Sequence, residues 1–279
     1  MSERMITTAM IEQFRQHLIL EEKSSITIDK YLRDVNHFRQ YADGREINKE
    51  LVIMYKKSLT EKGYAVRSVN SMLASLNSLL NFLGFGDCKV KCVKTQREAY
   101  CSEKQELSKA EYLRLLEAAK DQPALQLLMQ TICSTGIRVS ELSYFTVEAV
   151  SEGEIVVNCK GKTRAILVPG KLRKLLLTYA KKQKIRSGVI FCTRNGKPMD
   201  RSNIWTKMKR LCKAAGVNPD KVYPHNLRKL FARTFYKIEK DIAKLADILG
   251  HSSINTTRIY IMTTGTEHRK KMERLNLLL

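Results

Sequence analysis

Within its first 84 residues the chain repeats apolar side chains at helical spacing four times in succession, with residues that start or stop helices between the repeats. IEQFRQHL sets Ile11, Phe14 and Leu18 on one face. SITIDKYLRDVNHFRQYADG does the same with Ile28, Tyr31, Leu32, Val35 and Phe38, and Gly44 stops it. NKELVIMYKKSLTEKG starts at a capping Asn48 and ends at Gly63. VRSVNSMLASLNSLLNFLG presents Val69, Met72, Leu73, Leu76, Leu79, Leu80 and Leu83. Period, caps and stops agree in each stretch. Four amphipathic helices joined by short turns bury their stripes against one another, so residues 1–84 are expected to form a compact helical domain.

The pattern breaks at GFGDCKVKCVKTQREAYCSEKQE, which is charged and lacks sustained periodicity, and residues 85–106 read as an interdomain linker. Residues 107–279 mix element types. LSKAEYLRLLEAAK opens a helix, with Ser108 and Glu111 at capping-box spacing. DQPALQLLMQTICSTGIR carries Leu125, Leu128, Met129 and Ile132 on one face. EIVVNC and RAILVP are β-branched runs with KGKT as a hairpin turn between them, and GVIFCT reads as a third short strand. Helical signals return at RSNIWTKMKRLCKAAG, NLRKLFARTFYKIEK and DIAKLADILG, which stops at Gly250. The fold class expected is mainly α with a small antiparallel β-sheet.

Charge narrows the partner. Lys and Arg number 50 against 28 Asp and Glu, a formal net charge of +22. An excess of that size favours polyanions, and nucleic acid leads because neutralised phosphates release condensed counterions. A membrane partner is not expected, because no long apolar run could span a bilayer and MSERMITTAM lacks the plan of a signal peptide. The 43% hydrophobic content is ample for packed cores. Seven cysteines, an odd number with no C-x-x-C pair, point away from a disulfide framework or a zinc site and towards a reducing cytoplasm.

Four patches carry residues fit for chemistry: STGIRVSEL with Arg138 and Glu141, NCKGKTR with Lys160, PHNLRKLFA with His225 and Arg228, and LGHSSINTTRIY with His251 and Tyr260. Singly each is weak, since an H-x-x-R pair or a turn lysine is common in proteins without such a role. In LGHSSINTTRIY, Ile254, Ile259 and Ile261 make only a thin apolar stripe, too little to account for Tyr260 as ordinary packing. Together the four patches resemble, in order and spacing, the motifs of the tyrosine recombinase (phage integrase) family: TG-[LI]-R-x-S-E-L as TGIRVSEL, the hairpin lysine in CKGKTR, H-x-L-R as HNLR, and LGHSS-x-x-TT-x-x-Y as LGHSSINTTRIY. Two positions depart from the pattern. Lys229 stands where many members have a second histidine, and Met262 where many have a histidine or other polar group. Neither is assigned to chemistry, and they leave only the subgroup open.

The resemblance implies a helical core-binding (SAM-like) domain over 1–84 and a mixed α/β catalytic domain over 107–279. The tail from about residue 264 is expected to dock on a neighbouring subunit, with packing on its own chain as the alternative. It implies a site-specific recombinase that cuts and rejoins DNA through a covalent 3′-phosphotyrosine link, with Tyr260 as nucleophile. Ester is exchanged for ester, so no cofactor and no metal is expected. The cations then come from side chains. Arg138 and Arg228 can fork onto the non-bridging oxygens, and His251 can donate another hydrogen bond. His225 is a candidate base or a further phosphate contact. Lys160 is the choice for protonating the leaving 5′ oxygen, with Lys162 two residues away as runner-up. Glu141, three residues after Arg138, would orient it. The expected partners are double-stranded DNA bearing a specific recombination site, three further copies of the chain in a tetramer on that DNA, and optional accessory DNA-bending proteins. The expected location is the cytoplasm, at the nucleoid when DNA-bound. The rival readings are a type IB topoisomerase-like DNA relaxation enzyme and a catalytically silent DNA-binding regulator.

Overall fold

The protein is described from a computed structural model covering residues 4–94, 100, 105–159, 162–193 and 195–275, with the backbone alone at Cys159 and Lys162. It divides into two compact units, Met1–Arg97 and Glu98–Leu279. Among the described residues no helix is long and apolar enough to cross a membrane.

The first unit is built from α1 (Thr8–Leu20), α2 (Ser25–Ala42), α3 (Lys49–Glu61) and α4 (Val66–Phe82). Thr7 caps α1 by accepting from Met10 N, and Asn48 caps α3 by accepting from Leu51 N. The four apolar stripes meet in two adjoining cores. Phe14, Leu18, Val35 and Leu79 fill one, and Phe38, Leu51, Tyr55, Leu73 and Leu76 the other. A buried polar contact crosses between α2 and α4, where Ser75 Oγ donates to Asp34 at 3.0 Å.

Residues 86–94, read from sequence as part of a linker, lie against this unit. Val90 N donates to Asn77 Oδ1 at 3.0 Å and Asn77 Nδ2 returns a bond to Val90 O at 2.9 Å; Asn70 pairs with Val93 in the same way at 2.7 and 3.0 Å. Asn70 and Asn77 are seven residues apart, two turns along one face of α4. Their amides act as a substitute strand for an extended segment, while Cys88 and Val90 join the core. Such pairing has no periodic signature in the segment itself. Much of the rest of the linker reading falls outside the described residues.

The second unit begins with α5 (Lys109–Ala118), whose capping box forms as expected: Ser108 Oγ accepts from Glu111 N at 3.1 Å and Glu111 accepts from Ser108 N at 2.8 Å. α6 (Pro123–Thr135) follows, then a short 3₁₀ turn over Val139–Tyr144, α7 (Val147–Glu152), β1 (Glu154–Cys159) and β2 (Lys162–Leu167). The strands pair antiparallel from Glu154 opposite Leu167 to Cys159 opposite Lys162. α8 (Gly170–Lys182), α9 (Arg201–Ala215), α10 (Pro224–Glu239), α11 (Ile242–Leu249), α12 (Ile254–Tyr260) and α13 (Gly265–Glu273) complete it. Leu128, Ile132, Phe145, Phe191, Met208 and Leu227 are among the residues of its core.

GVIFCT does not form a third strand; among the described residues β1 and β2 are the whole sheet. Its backbone bonds go to two unrelated segments: Ile190 N donates to Phe145 O at 2.9 Å, and Phe191 O accepts from Met199 N at 3.0 Å. Two isolated bridges, Val189 with Thr146 and Cys192 with Pro198, are the result. The neighbours Ile190 and Phe191 are both buried, whereas a strand in a half-buried sheet sends alternate side chains to opposite faces. The apolar run is a core plug with a strand-like composition.

Candidate active site

Three helix ends and one hairpin converge on the C-terminus of α11. Gly250 leaves that helix with φ +62°, and His251 N bonds back to Ala246 O at 2.9 Å, a left-handed cap of the Schellman kind. The last carbonyls of such a helix have no partners within it and carry the negative end of its dipole. Here three successive ones each receive an arginine. Arg164 Nη1 donates to Ile248 O, Arg228 Nη2 to Leu249 O at 2.6 Å, and Arg138 Nη2 to Gly250 O at 3.1 Å. The helix end collects guanidinium groups that would otherwise repel one another.

Arg228 is the largest fully buried side chain among the described residues, at 1% exposure. It projects from α10, whose first turn is set by Pro224, and its Nη1 also donates to Gly136 O at 2.5 Å. Its Nε has no protein partner. Burial, reinforced by the Arg138 charge, pushes its pKa down to about 10, so it is still a cation at neutral pH. A buried cation with an unused donor, beside an open cleft, suits an anion brought from outside.

Glu141 carries the balancing charge. It is buried, one turn after Arg138 on the 3₁₀ segment; Oε1 accepts from Arg138 Nη1 at 3.0 Å and Oε2 from Arg138 N at 2.7 Å. Oε2 also accepts from Arg164 Nη2 at 2.5 Å.

Tyr260 reaches this cluster from α12. The helix is amphipathic in an inverted sense: Ile254 and Ile259 face outward, while Thr257 and Tyr260 are buried. The Tyr260 ring lies 5.1 Å from the His225 ring and 4.9 Å from the His251 ring, with the Arg228 guanidinium 6.0 Å from its centroid. His251 Nε2 lies 3.0 Å from Arg228 Nη2, which can only donate, and Nδ1 lies 2.9 Å from Thr257 Oγ1. The ring is therefore neutral with its proton on Nδ1. Its pKa of about 4, lowered by burial and then by Arg228 and Arg138, agrees. His225 is likewise lowered to about 4 by burial and then by Lys229 and Arg228. It keeps an open edge, where solvent screens part of that effect, so His251 is the more firmly neutral ring.

A cleft of about 640 Å³ opens beside Arg138, His225 and Arg228, with Arg201, Trp205 and Lys209 of α9 on its far wall. The structure thus brings together Arg138, Glu141, His225, Arg228, His251 and Tyr260. Lys160 lies outside the described residues, as does the side chain of its runner-up Lys162, and so do the tail leucines 277–279. Sequence reading left Arg164 and Thr257 without a role. Both lie inside quoted motifs, but their contacts are with residues distant in sequence or across a helix turn, which spacing alone does not reveal.

Gly136 is the tightest joint of the site. It ends α6 with φ +66°, and an added Cβ would stand 2.4 Å from the Phe231 ring of α10. Gly136→Ala combines left-handed strain with overpacking, and urea unfolding should show a loss of about 3 kcal/mol. A change under about 0.5 kcal/mol would mean that α6 and α10 are not locked there.

The Phage integrase family profile matches residues 105–266, and that of its N-terminal SAM-like domain residues 11–84. The tyrosine recombinase XerA of Pyrococcus furiosus is 28% identical over 286 residues, covering 100% of this chain and 98% of its own. The fold is shared with a lambda integrase dimer bound to a COC′ core site, at TM-score 0.77 and 18% identity, covering 94% of this chain and 97% of that one. It is also shared with a lambda integrase tetramer bound to a Holliday junction, at TM-score 0.70 and 20% identity, covering 90% of this chain and 76% of that one.

Proposed function

Because the chain belongs to the phage integrase family and is a site-specific tyrosine recombinase, we propose that its Tyr260 hydroxyl attacks a DNA phosphorus and that Arg138 and Arg228 neutralise the phosphate during the exchange. The observation that carries this reading is the packing of Tyr260 between two neutral histidines and a buried arginine. The tyrosine oxygen forms an ester with phosphorus and the 5′ oxygen leaves, giving a 3′-phosphotyrosine. Attack by another strand's 5′ hydroxyl reverses the step and releases the enzyme. One demanding displacement becomes two easier ones, with the bond energy kept.

Phosphoryl transfer depends chiefly on positioning and on stabilising charge. Arg138, held by Glu141 and Gly250 O, and Arg228, with Nε unused, would meet the non-bridging oxygens from two sides. His251, whose Nε2 accepts from Arg228 Nη2, would hold that guanidinium in place rather than donate to the phosphate, and His225, neutral and open to the cleft, would take the phenol proton or meet the phosphate. A phenol has an unperturbed pKa of about 10, and neighbouring cations favour its anion. Lys160 is assigned the proton for the 5′ oxygen, with Lys162 as alternative. The helical unit is read as the core-binding domain and the second unit as the catalytic domain. The working assembly is read as a tetramer on DNA, because exchange between two duplexes uses four sites.

Selection from a random duplex pool should yield a preferred site. Two labelled duplexes bearing it should then exchange strands without nucleotide or metal. Relaxation of supercoils with no exchanged product would overturn the reading in favour of a topoisomerase.

A further inference from the structure

We infer that Arg164, on the strand after the lysine hairpin, is a positioning residue for the reaction: it fixes the phosphate-facing arginine Arg138 through their shared carboxylate, Glu141. This rests on the proposed contact of Arg138 with the scissile phosphate.

Arg164 has no role in the proposed chemistry, yet its side chain is only 13% exposed. Its two terminal nitrogens are spent on the carboxylate that also holds Arg138 and on the same helix end. Nη2 meets Glu141 Oε2 at 2.5 Å, and Nη1 meets the Ile248 carbonyl, two residues before the Gly250 carbonyl that Arg138 uses. The two arginines are therefore parallel straps from one carboxylate to one helix end. Each strap sets the other, because Glu141 is 1% exposed and has no solvent to fall back on.

Room for the second strap is built into the backbone. A Cβ on Gly250 would stand 2.6 Å from Arg164 Cδ. The glycine that caps α11 is thus needed twice, for its positive φ and for the passage of the Arg164 stem. Lysine cannot replace this arrangement, since a single ammonium lacks the planar fork that spans two acceptors.

Without Arg164 the Glu141 carboxylate is left to one partner in a dry site, and it is drawn onto Arg138. That guanidinium then has a tighter ion pair and a poorer aim at an incoming phosphate. The defect should scale with the negative charge of the substrate. This distinguishes positioning of Arg138 from a general loosening of the fold.

The test uses the full chain and a nicked duplex bearing the selected site, made once with an ordinary scissile phosphate and once with a methylphosphonate, which lacks one negative oxygen. Covalent adduct formation is timed for wild type, Arg164→Met, Arg164→Lys and Arg138→Ala, with melting temperatures alongside. On phosphate, Arg164→Met should be slower than wild type by about 100-fold and Arg164→Lys by about 10-fold, with duplex binding little changed. On methylphosphonate both penalties should shrink to within about threefold, as should that of Arg138→Ala, since the interaction being lost is with the missing charge. If Arg138→Ala shrinks and the Arg164 variants do not, or if they show no defect on phosphate, the inference is wrong. If Arg138→Ala itself keeps its full penalty, the contact of Arg138 with the phosphate is wrong. Should Arg164→Met fail to fold, Arg164→Lys decides by the same comparison.

Discussion

Arg228→Ala should slow covalent adduct formation by about 10³-fold or more, some 4 kcal/mol of transition-state stabilisation, while the protein stays folded and bound to its duplex. Two opposed effects act on stability. The substitution strips donors from Gly136 O and Leu249 O, at about 1–3 kcal/mol for each acceptor left dry. It also removes a buried cation beside Arg138 and Arg164, which relieves a desolvation cost of several kcal/mol. The net change in stability is therefore small compared with the change in rate. Arg228→Lys should recover little activity, because a single ammonium lacks the planar fork whose two ends reach the Gly136 and Leu249 carbonyls. A rate within tenfold of wild type for Arg228→Ala would show that the buried guanidinium belongs to the architecture alone.

Tyr260→Phe is expected to abolish the adduct altogether, a loss beyond about 10⁴-fold, and to leave the fold within about 1 kcal/mol of wild type. The magnitudes separate because only an oxygen is removed. The ring contacts at 5.1 and 4.9 Å to the two histidines and the arginine at 6.0 Å are made by carbon atoms that phenylalanine keeps. Duplex binding should persist, and a denaturing gel of a nicked suicide duplex should show free protein only. Adduct from the phenylalanine variant would place the nucleophile elsewhere in the chain.

What could be read from the chain follows the range of the forces involved. The first four helices were legible because their stripes, caps and stops are local, and residues such as Leu73 and Leu76 then had only one place to go. The Ser108 capping box was legible for the same reason. GVIFCT misled because a β-branched run reads alike whether it pairs in a sheet or plugs a core, and only its partners Phe145 and Met199 decide. Residues 86–94 read as linker because their order comes from Asn70 and Asn77, side chains on a helix already accounted for.

The site divides along the same line. Arg138, Glu141, His225, Arg228, His251 and Tyr260 were named from motifs, and the structure brings them to one helix end. What spacing could not give is the arrangement: three arginines on three successive carbonyls, and an inverted α12 whose isoleucines face outward. Both depend on contacts between residues far apart in sequence or on the choice of a buried face. Arg164 sat in plain view beside the hairpin lysine. Its partner Glu141 lies 23 residues away, and its acceptor Ile248 lies 84 away.

The most direct test is to trap the adduct on a nicked suicide duplex, digest it with nuclease and trypsin, and locate the nucleotide by mass spectrometry. Cleavage after Arg258 and Arg269 releases residues 259–269, which contain a single tyrosine. A nucleotide joined through its 3′ phosphate to Tyr260 in that peptide is the expected result. A nucleotide on any other peptide, or one attached through a 5′ phosphate, would contradict it.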